Sequence, residues 1–288
     1  MEPERRIDRT LSEALALAEA GAPPRLAAAL WHAVFPGGAR LRPRLTLAVA
    51  QACGDNRPEL AEGAAAAIEL MHCASLVHDD LPCFDDADMR RGRASVHRAY
   101  GEPLAVLAGD ALIVLAFETL ARAAAHAPGR LPALVAILSR SAGLPGGIVA
   151  GQAWECEPFV DLSEYHRAKT GALFAAATAA GAAAAGREPG PWRALGERLG
   201  EAYQVADDLR DALGDAADLG KPVGRDAALG RRNAVAECGV SGALARLERL
   251  VAEASASVPP CEGAGDLEAL IRGECRRFLP AKTARLAA

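Results

Sequence analysis

Leu60–His78 is apolar on nearly every side, which predicts a central helix buried all round. Leu112–Leu120 and Leu131–Leu138 carry a similar pattern and the same expectation. Leu244–Val251 differs, because Arg246, Glu248 and Arg249 stand among its leucines as on an amphipathic surface helix. Breakers punctuate the chain at Pro23-Pro24, Pro36-Gly37-Gly38, Gly54–Pro58, Pro82, Gly101–Pro103, Pro128-Gly129, Pro145–Gly147, Pro189–Pro191, Gly220–Pro222 and Pro259-Pro260. The stretches between them run to about 10–25 residues, the ordinary to long range for helices. No segment repeats at a solenoid period, and no Ser/Gly-rich linker parts two halves. The pattern predicts one all-α domain over residues 1–288, of roughly ten helices.

Composition agrees. A chain of 288 residues can bury a sizeable core. Aromatics make up only 4% while alanine, the best helix former, is abundant. Stretches rich in β-branched residues are missing, which all but excludes a β-sandwich or barrel. A net charge of −5 argues against a general nucleic-acid surface. The start, Met1–Thr10, has no apolar stretch of the secretory kind, and the seven cysteines are dispersed without C-x-x-C pairs. They read as reduced thiols in a cytoplasmic protein. The longest apolar runs, Leu104–Phe117 (interrupted by Asp110) and Ala172–Ala185, fall short of a membrane span.

Two clusters break the apolar pattern. Asp79, Asp80, Asp85, Asp86 and Asp88 put five carboxylates within ten residues at the end of the apolar helix. Ionised carboxylates repel and are costly to desolvate, so core packing has no use for them. Pro82 stops the helix and lets the later aspartates fold back toward the first pair. Asp207, Asp208 and Asp211 form the second cluster, with Asp207 and Asp211 at i and i+4 on one helix face. Either cluster alone reads as readily as a solvated acidic helix end, with Arg210 pairing to its neighbours. Two clusters, each joined to an apolar helix and each followed by cations, read as ligands of Mg²⁺, which takes oxygen donors and substrate phosphates.

The cations fall in a pattern. Arg90-Arg91-Gly92 follows the first cluster, Lys169-Thr170-Gly171 lies between the two, and Lys221-Pro222 follows the second, with Arg225 and Arg231-Arg232 beyond. Gly37-Gly38-Ala39-Arg40-Leu41-Arg42-Pro43-Arg44 offers a glycine turn with three arginines. The chain has only three lysines, so Lys169 and Lys221 in such segments carry weight. Carboxylates for Mg²⁺ plus separate cations make a diphosphate site. His72 and His78 stand on the apolar helix, where a lone histidine is usually a satisfied core residue, and His78 is read that way. His72 lies two helical turns before Asp79.

Asp79-Asp80-x4-Asp85 with Arg90-Arg91-Gly92 resembles the first aspartate-rich motif of the trans-isoprenyl diphosphate synthases, and Tyr203–Asp211 resembles the second. Gly37–Pro43 is similar to that family's GGKRxRP segment, and Gly151-Gln152, Lys169-Thr170 and Gly220–Asp226 match in order and spacing. The resemblance covers about residues 30–235. It implies antiparallel helices around a central cavity, with the two aspartate motifs facing each other across its mouth. It implies a cluster of three Mg²⁺ held chiefly by Asp79, Asp85 and Asp207, supported by Asp80, Asp208 and Asp211. Arg90, Lys169, Thr170, Gln204 and Lys221 are implied to contact an allylic diphosphate, and Arg42, His72 and Arg91 to hold isopentenyl diphosphate. A homodimer is implied as well.

In that family the side chains just upstream of the first motif face the growing prenyl chain. Here they are small, Ala74 and Ser75, with Met71 one turn further down as the floor. The four residues between Asp80 and Asp85, Pro82-Cys83 among them, resemble the bacterial short-chain branch. Together these point to a geranylgeranyl (C20) product, as in bacterial carotenoid and bacteriochlorophyll pathways, with farnesyl diphosphate as the runner-up. Ala39 replaces the family's lysine, which implies a raised KM for isopentenyl diphosphate unless Arg40 or Arg44 reaches instead; Arg231 also stands where the family usually has lysine. A non-catalytic partner subunit rests on Ala39 alone. A terpene cyclase is disfavoured by the intact Asp207–Asp211 set, and a helical phosphohydrolase by the lack of His/Asp ligand pairs.

Overall fold

The computed structural model describes residues 2–35, 37–159, 161–213 and 233–277. Helix α1 spans Pro3–Glu19, α2 Pro24–Val34, α3 Leu41–Ala52 and α4 Pro58–Asp79. A two-residue ribbon, β1 (Met89–Arg90) and β2 (Arg93–Ala94), leads into α5 (Val96–Tyr100) and α6 (Glu102–Ala123). Then come α7 (Leu131–Ala142), α8 (Ile148–Ala153), α9 (Leu162–His166), α10 (Ala172–Ala184) and α11 (Gly190–Leu213). After a gap in the description, α12 (Ala234–Ala256) and α13 (Ala264–Arg277) follow. The antiparallel ribbon is the only sheet among the described residues, so the all-α expectation holds.

The breakers act as helix starts more than as stops. Pro24 and Pro58 are first helical residues, where a missing N–H costs nothing. At the other end α4 stops at Asp79, three residues before Pro82.

Two helices hold the centre. α4 packs against α3, α6 and α10, and α10 packs against α3, α4, α7 and α11. From Leu173 to Ala184 every residue of α10 is buried, and α4 is buried along most of its length, Ala64–Ala67 and Leu70 included. Small side chains let these backbones approach. A Cβ on Gly196 of α11 would stand 2.3 Å from the Phe174 carbonyl oxygen of α10, so only glycine fits at that crossing. The crossing fixes α11, and with it the second aspartate cluster three turns further along.

Two expectations need correction. α6 and α7, which contain Leu112–Leu120 and Leu131–Leu138, are not buried all round. Val106, Leu107 and Val114 of α6 are exposed, and α7 buries only Leu134, Leu138 and Ser141. An apolar period does not say on which sides partners lie. The apolar segments are also longer than the uninterrupted runs suggested: α4 and α6 are each long and apolar enough to cross a membrane by length and composition. α4 is mostly buried inside the bundle, as a core helix is. α6 keeps Val106, Leu107 and Val114 on its outer side, with Asp110 and Glu118 among them. Leu244–Val251 behaves as expected, burying Leu247 and Leu250 on one side of α12.

Candidate active site

The C-terminal end of α4 carries the first carboxylates, and the loop beyond it folds back as Pro82 suggested. Asp85 N donates to the Asp79 carbonyl at 2.9 Å, and Ala87 N to the Asp80 carbonyl at 3.2 Å. Asp79 keeps 15% of its side chain exposed, while Asp80 is buried at 3%. The buried Asp80 is gripped by Arg90 of β1, whose Nε lies 2.9 Å from Oδ1 and whose Nη2 donates to the same oxygen. Burial, with Asp79 and Asp85 close by, raises the Asp80 carboxyl above the ordinary carboxylate range against the pull of Arg90.

Lys169 lies on a single π-helical turn, Arg167–Gly171, ahead of α10. Its Nζ is shared between Asp79 Oδ1 at 3.1 Å and Glu155 Oε1 at 2.6 Å. Burial opposes its charge, but Asp79, Tyr165 and Glu155 outweigh it and hold the ammonium above its ordinary pKa. Gly151 makes this possible: a Cβ there would stand 2.4 Å from the Lys169 backbone nitrogen. Glu155 is itself held by Tyr165 Oη at 2.5 Å and Gln152 Nε2 at 3.0 Å. Sequence reasoning stopped at Gln152 and missed Glu155, although the acid three residues on was the available signal.

Thr170, next to Lys169, connects the two clusters. Its hydroxyl donates to Gln204 Oε1 at 2.9 Å, and Gln204 Nε2 donates to Asp208 Oδ1 at 3.0 Å. A bonded path therefore runs from Asp79 through Lys169 and its neighbour Thr170 to α11. Asp208 is buried, and its other oxygen accepts Ala234 N at 2.8 Å, the first residue of α12. A carboxylate at a helix start satisfies a free N–H and suits the dipole. Asp208 is thus the anchor of α12, a role no local spacing announced. Asp207 is a third exposed and pairs with Arg210 at 3.1 Å, while Asp211 is buried. Lys221, with Pro222, Arg225, Arg231 and Arg232, lies outside the described residues.

Two turns before Asp79 on α4, arginines gather around His72. His72 Nε2 accepts from Arg42 Nη1 at 3.4 Å. Burial, then Arg42, Arg91, Arg90 and Arg40, push His72 well below its ordinary pKa, so it is neutral. Arg42 lies over the Phe174 ring at 4.6 Å and near Tyr203 at 5.7 Å, and its Nε is buried with no partner. Arg91 crosses Gly38, where a Cβ would stand 3.1 Å from its Nε. Arg42, Arg91 and His72 come together as expected, in a form that suits an anion.

The glycine-turn arginines divide differently. Arg40 is buried with Nη1 on Glu69 Oε1 at 2.7 Å, Nη2 on the Val34 carbonyl at 3.0 Å and Nε on Asp8 at 3.2 Å. Arg44 pairs with Glu274 at 2.5 Å and Glu4 at 3.2 Å. Both are engaged away from the place of the missing lysine, so the expectation of a raised KM stands as made; Ala39 is exposed beside Gly38. His78 is a packing residue: Nε2 bonds the Val106 carbonyl at 3.2 Å, and its ring lies on Gly109 of α6. Met71, Ala74 and Ser75 lie seven, four and three residues before His78, on the same α4 face turned to α6. Met71 and Ala74 are buried, and the Ser75 hydroxyl donates to the His72 carbonyl at 2.8 Å.

Among the described residues no three carboxylate, imidazole or thiol side chains converge on one point that would hold a metal ion. The donors of the two clusters are all hard carboxylate oxygens. They fit Mg²⁺ held by one or two carboxylates and completed by phosphate oxygens and water.

Comparison with known proteins agrees with this geometry. The polyprenyl synthetase family model matches residues 23–257. The geranylgeranyl diphosphate synthase of Cereibacter sphaeroides is 57% identical over 282 residues, 98% of both chains. That of Rhodobacter capsulatus is 54% identical over 273 residues, 94% of both. Among solved structures, a geranyltransferase from Helicobacter pylori, complexed with magnesium and isoprenyl diphosphate, is 28% identical with a TM-score of 0.81, covering 95% of this chain and 96% of that one.

Proposed function

The chain belongs to the polyprenyl synthetase family, and from that premise we propose that it condenses isopentenyl diphosphate with an allylic diphosphate to give geranylgeranyl diphosphate. The observation that carries the reading is the gathering of Arg42 and Arg91 around neutral His72, two turns before Asp79 on α4, with Lys169 suspended between Asp79 and Glu155.

Asp79, Asp85 and Asp207 are the residues to hold Mg²⁺, three ions in all once diphosphate is bound. Asp80 and Asp208 act as anchors, through Arg90 and through Gln204 and Ala234, and Asp211 supports the set. When bound, the metal supplies the positive charge a departing diphosphate requires. The allylic C–O bond breaks heterolytically, and the electron pair leaves with the diphosphate. Arg90, Lys169 and Lys221 add fixed positive charge where that negative charge grows, with Thr170 and Gln204 orienting the group. Arg42, Arg91 and neutral His72 hold isopentenyl diphosphate so that its double bond meets the allylic cation. The new bond forms, and a proton passes to the released diphosphate. Small buried side chains keep water from the cation.

The C20 product rests on the Ala74 face of α4 and on the products that name the two bacterial relatives. Ala74→Phe places a ring one turn below His78, where there is now a methyl group. Its product is C15 or shorter by chromatography of the dephosphorylated prenyl alcohols; an unchanged C20 peak would remove Ala74 from the pocket. Ala39→Lys restores an ammonium beside Gly38 and Arg91. It lowers the KM for isopentenyl diphosphate about two- to fivefold, the worth of one exposed charge, with kcat unchanged in steady-state assays. A homodimer accounts for the outer side of α6, where Val106, Leu107 and Val114 are 42%, 50% and 66% exposed.

A further inference from the structure

The loop between α4 and β1 is fastened on two sides. On the α4 side its own backbone does the work: Asp85 N bonds the Asp79 carbonyl at 2.9 Å, and Asp86 N bonds the Leu81 carbonyl at 3.1 Å. On the other side lies α5. Arg98 Nη2 donates to Asp86 Oδ1 at 3.2 Å, and Arg98 Nε stands 2.6 Å from Asp88 Oδ1. Ser95 N donates to the Asp88 carbonyl at 2.9 Å. Beneath Arg98, His97 is 6% exposed, with Nδ1 on the Ser95 hydroxyl at 3.0 Å. Its Nε2 has no hydrogen-bond partner and faces Asp86 Oδ1 at 3.7 Å. Asp86 has a φ of 44°, the left-handed conformation. A residue in that region turns the chain sharply, so Asp86 is carried to the α5 side while Asp85 stays tied to Asp79.

We propose that α5 is a clip, with Arg98 and His97 as positioning residues that hold Asp86 and Asp88 outward and so fix Asp85 beside Asp79 as the pair offered to cations. The inference rests on the reading that Asp79 and Asp85 hold Mg²⁺. Without Arg98 the loop carries four neighbouring carboxylates with no cation on its outer side, and their repulsion displaces Asp85. Arg98 touches neither ligand; it acts through Asp86 and Asp88 on the backbone that carries Asp85, and a displaced ligand binds metal more weakly without being removed.

Two measurements on the full chain test the clip. One is the Mg²⁺ concentration giving half-maximal condensation. The other, independent of turnover, is the calorimetric affinity for Mg²⁺ in the presence of inorganic diphosphate. Arg98→Gln raises both constants about twofold to fivefold, the scale of an exposed ion pair, turnover recovers at saturating Mg²⁺, and Arg98→Lys restores most of the loss. Asp86→Asn added to Arg98→Gln gives no further rise, because the two act through one contact. Unchanged Mg²⁺ constants in Arg98→Gln would overturn the clip, and so would raised constants that Arg98→Lys fails to restore. A wild-type chain without Mg²⁺-dependent condensation would instead overturn the functional reading, and calorimetry would still decide the clip.

Discussion

Asp79→Asn lowers turnover about 10²–10³-fold, the scale of losing one preorganised electrostatic partner of a reacting group, and leaves the fold intact. The substitution is isosteric. It keeps the carbonyl that accepts Asp85 N at 2.9 Å, so the loop still folds back. It removes one charge at the point where Lys169 at 3.1 Å and Arg90 at 3.9 Å converge. Lys169 keeps its 2.6 Å bond to Glu155 and does not collapse elsewhere. The pocket of Arg42, Arg91 and His72, two turns away along α4, is untouched, so the KM for isopentenyl diphosphate changes little while kcat falls. Steady-state kinetics against Mg²⁺ concentration and circular dichroism check both halves. Turnover within tenfold of wild type would take Asp79 out of the centre.

Arg40→Met has the largest effect on stability. It leaves Glu69, 2% exposed, with Arg91 Nη2 at 4.0 Å in place of a 2.7 Å bond, and frees the Val34 carbonyl. Breaking a buried pair by removing one partner costs about 3–5 kcal/mol, which for a chain of this size lowers Tm by roughly 10 °C. Arg40→Met with Glu69→Leu recovers most of the loss, because the pair as a whole is worth little over apolar residues of similar size. Thermal melts of both variants at one pH and salt concentration decide it. Equal destabilisation of single and double variants would mean that Arg40 acts by shape and not by charge.

Much of this site is readable along the chain because its chemistry is local. Five aspartates at the end of an apolar helix have no packing use, and Pro82 says that the loop returns. What was hidden depends on residues far away in sequence. The i, i+4 spacing of Asp207 and Asp211 gives a face, but nothing near Asp208 announces that α12 begins against it 26 residues later. Arg40, Arg42 and Arg44 look alike in a glycine turn. Only the fold sends the first to Glu69, the second to His72 and the third to Glu274. Glu69, a single acid in an apolar helix, is the one local sign of a buried partner. α6 differs for a related reason: an apolar period does not say on how many sides partners lie, and one side of α6 faces outward.

The most direct test is whether this chain alone joins isopentenyl diphosphate to an allylic diphosphate. The purified chain is incubated with labelled isopentenyl diphosphate, Mg²⁺ and each of the dimethylallyl, geranyl and farnesyl starters, and the products are sized. Mg²⁺-dependent incorporation that ends at a C20 chain is expected. No incorporation with any starter would contradict it.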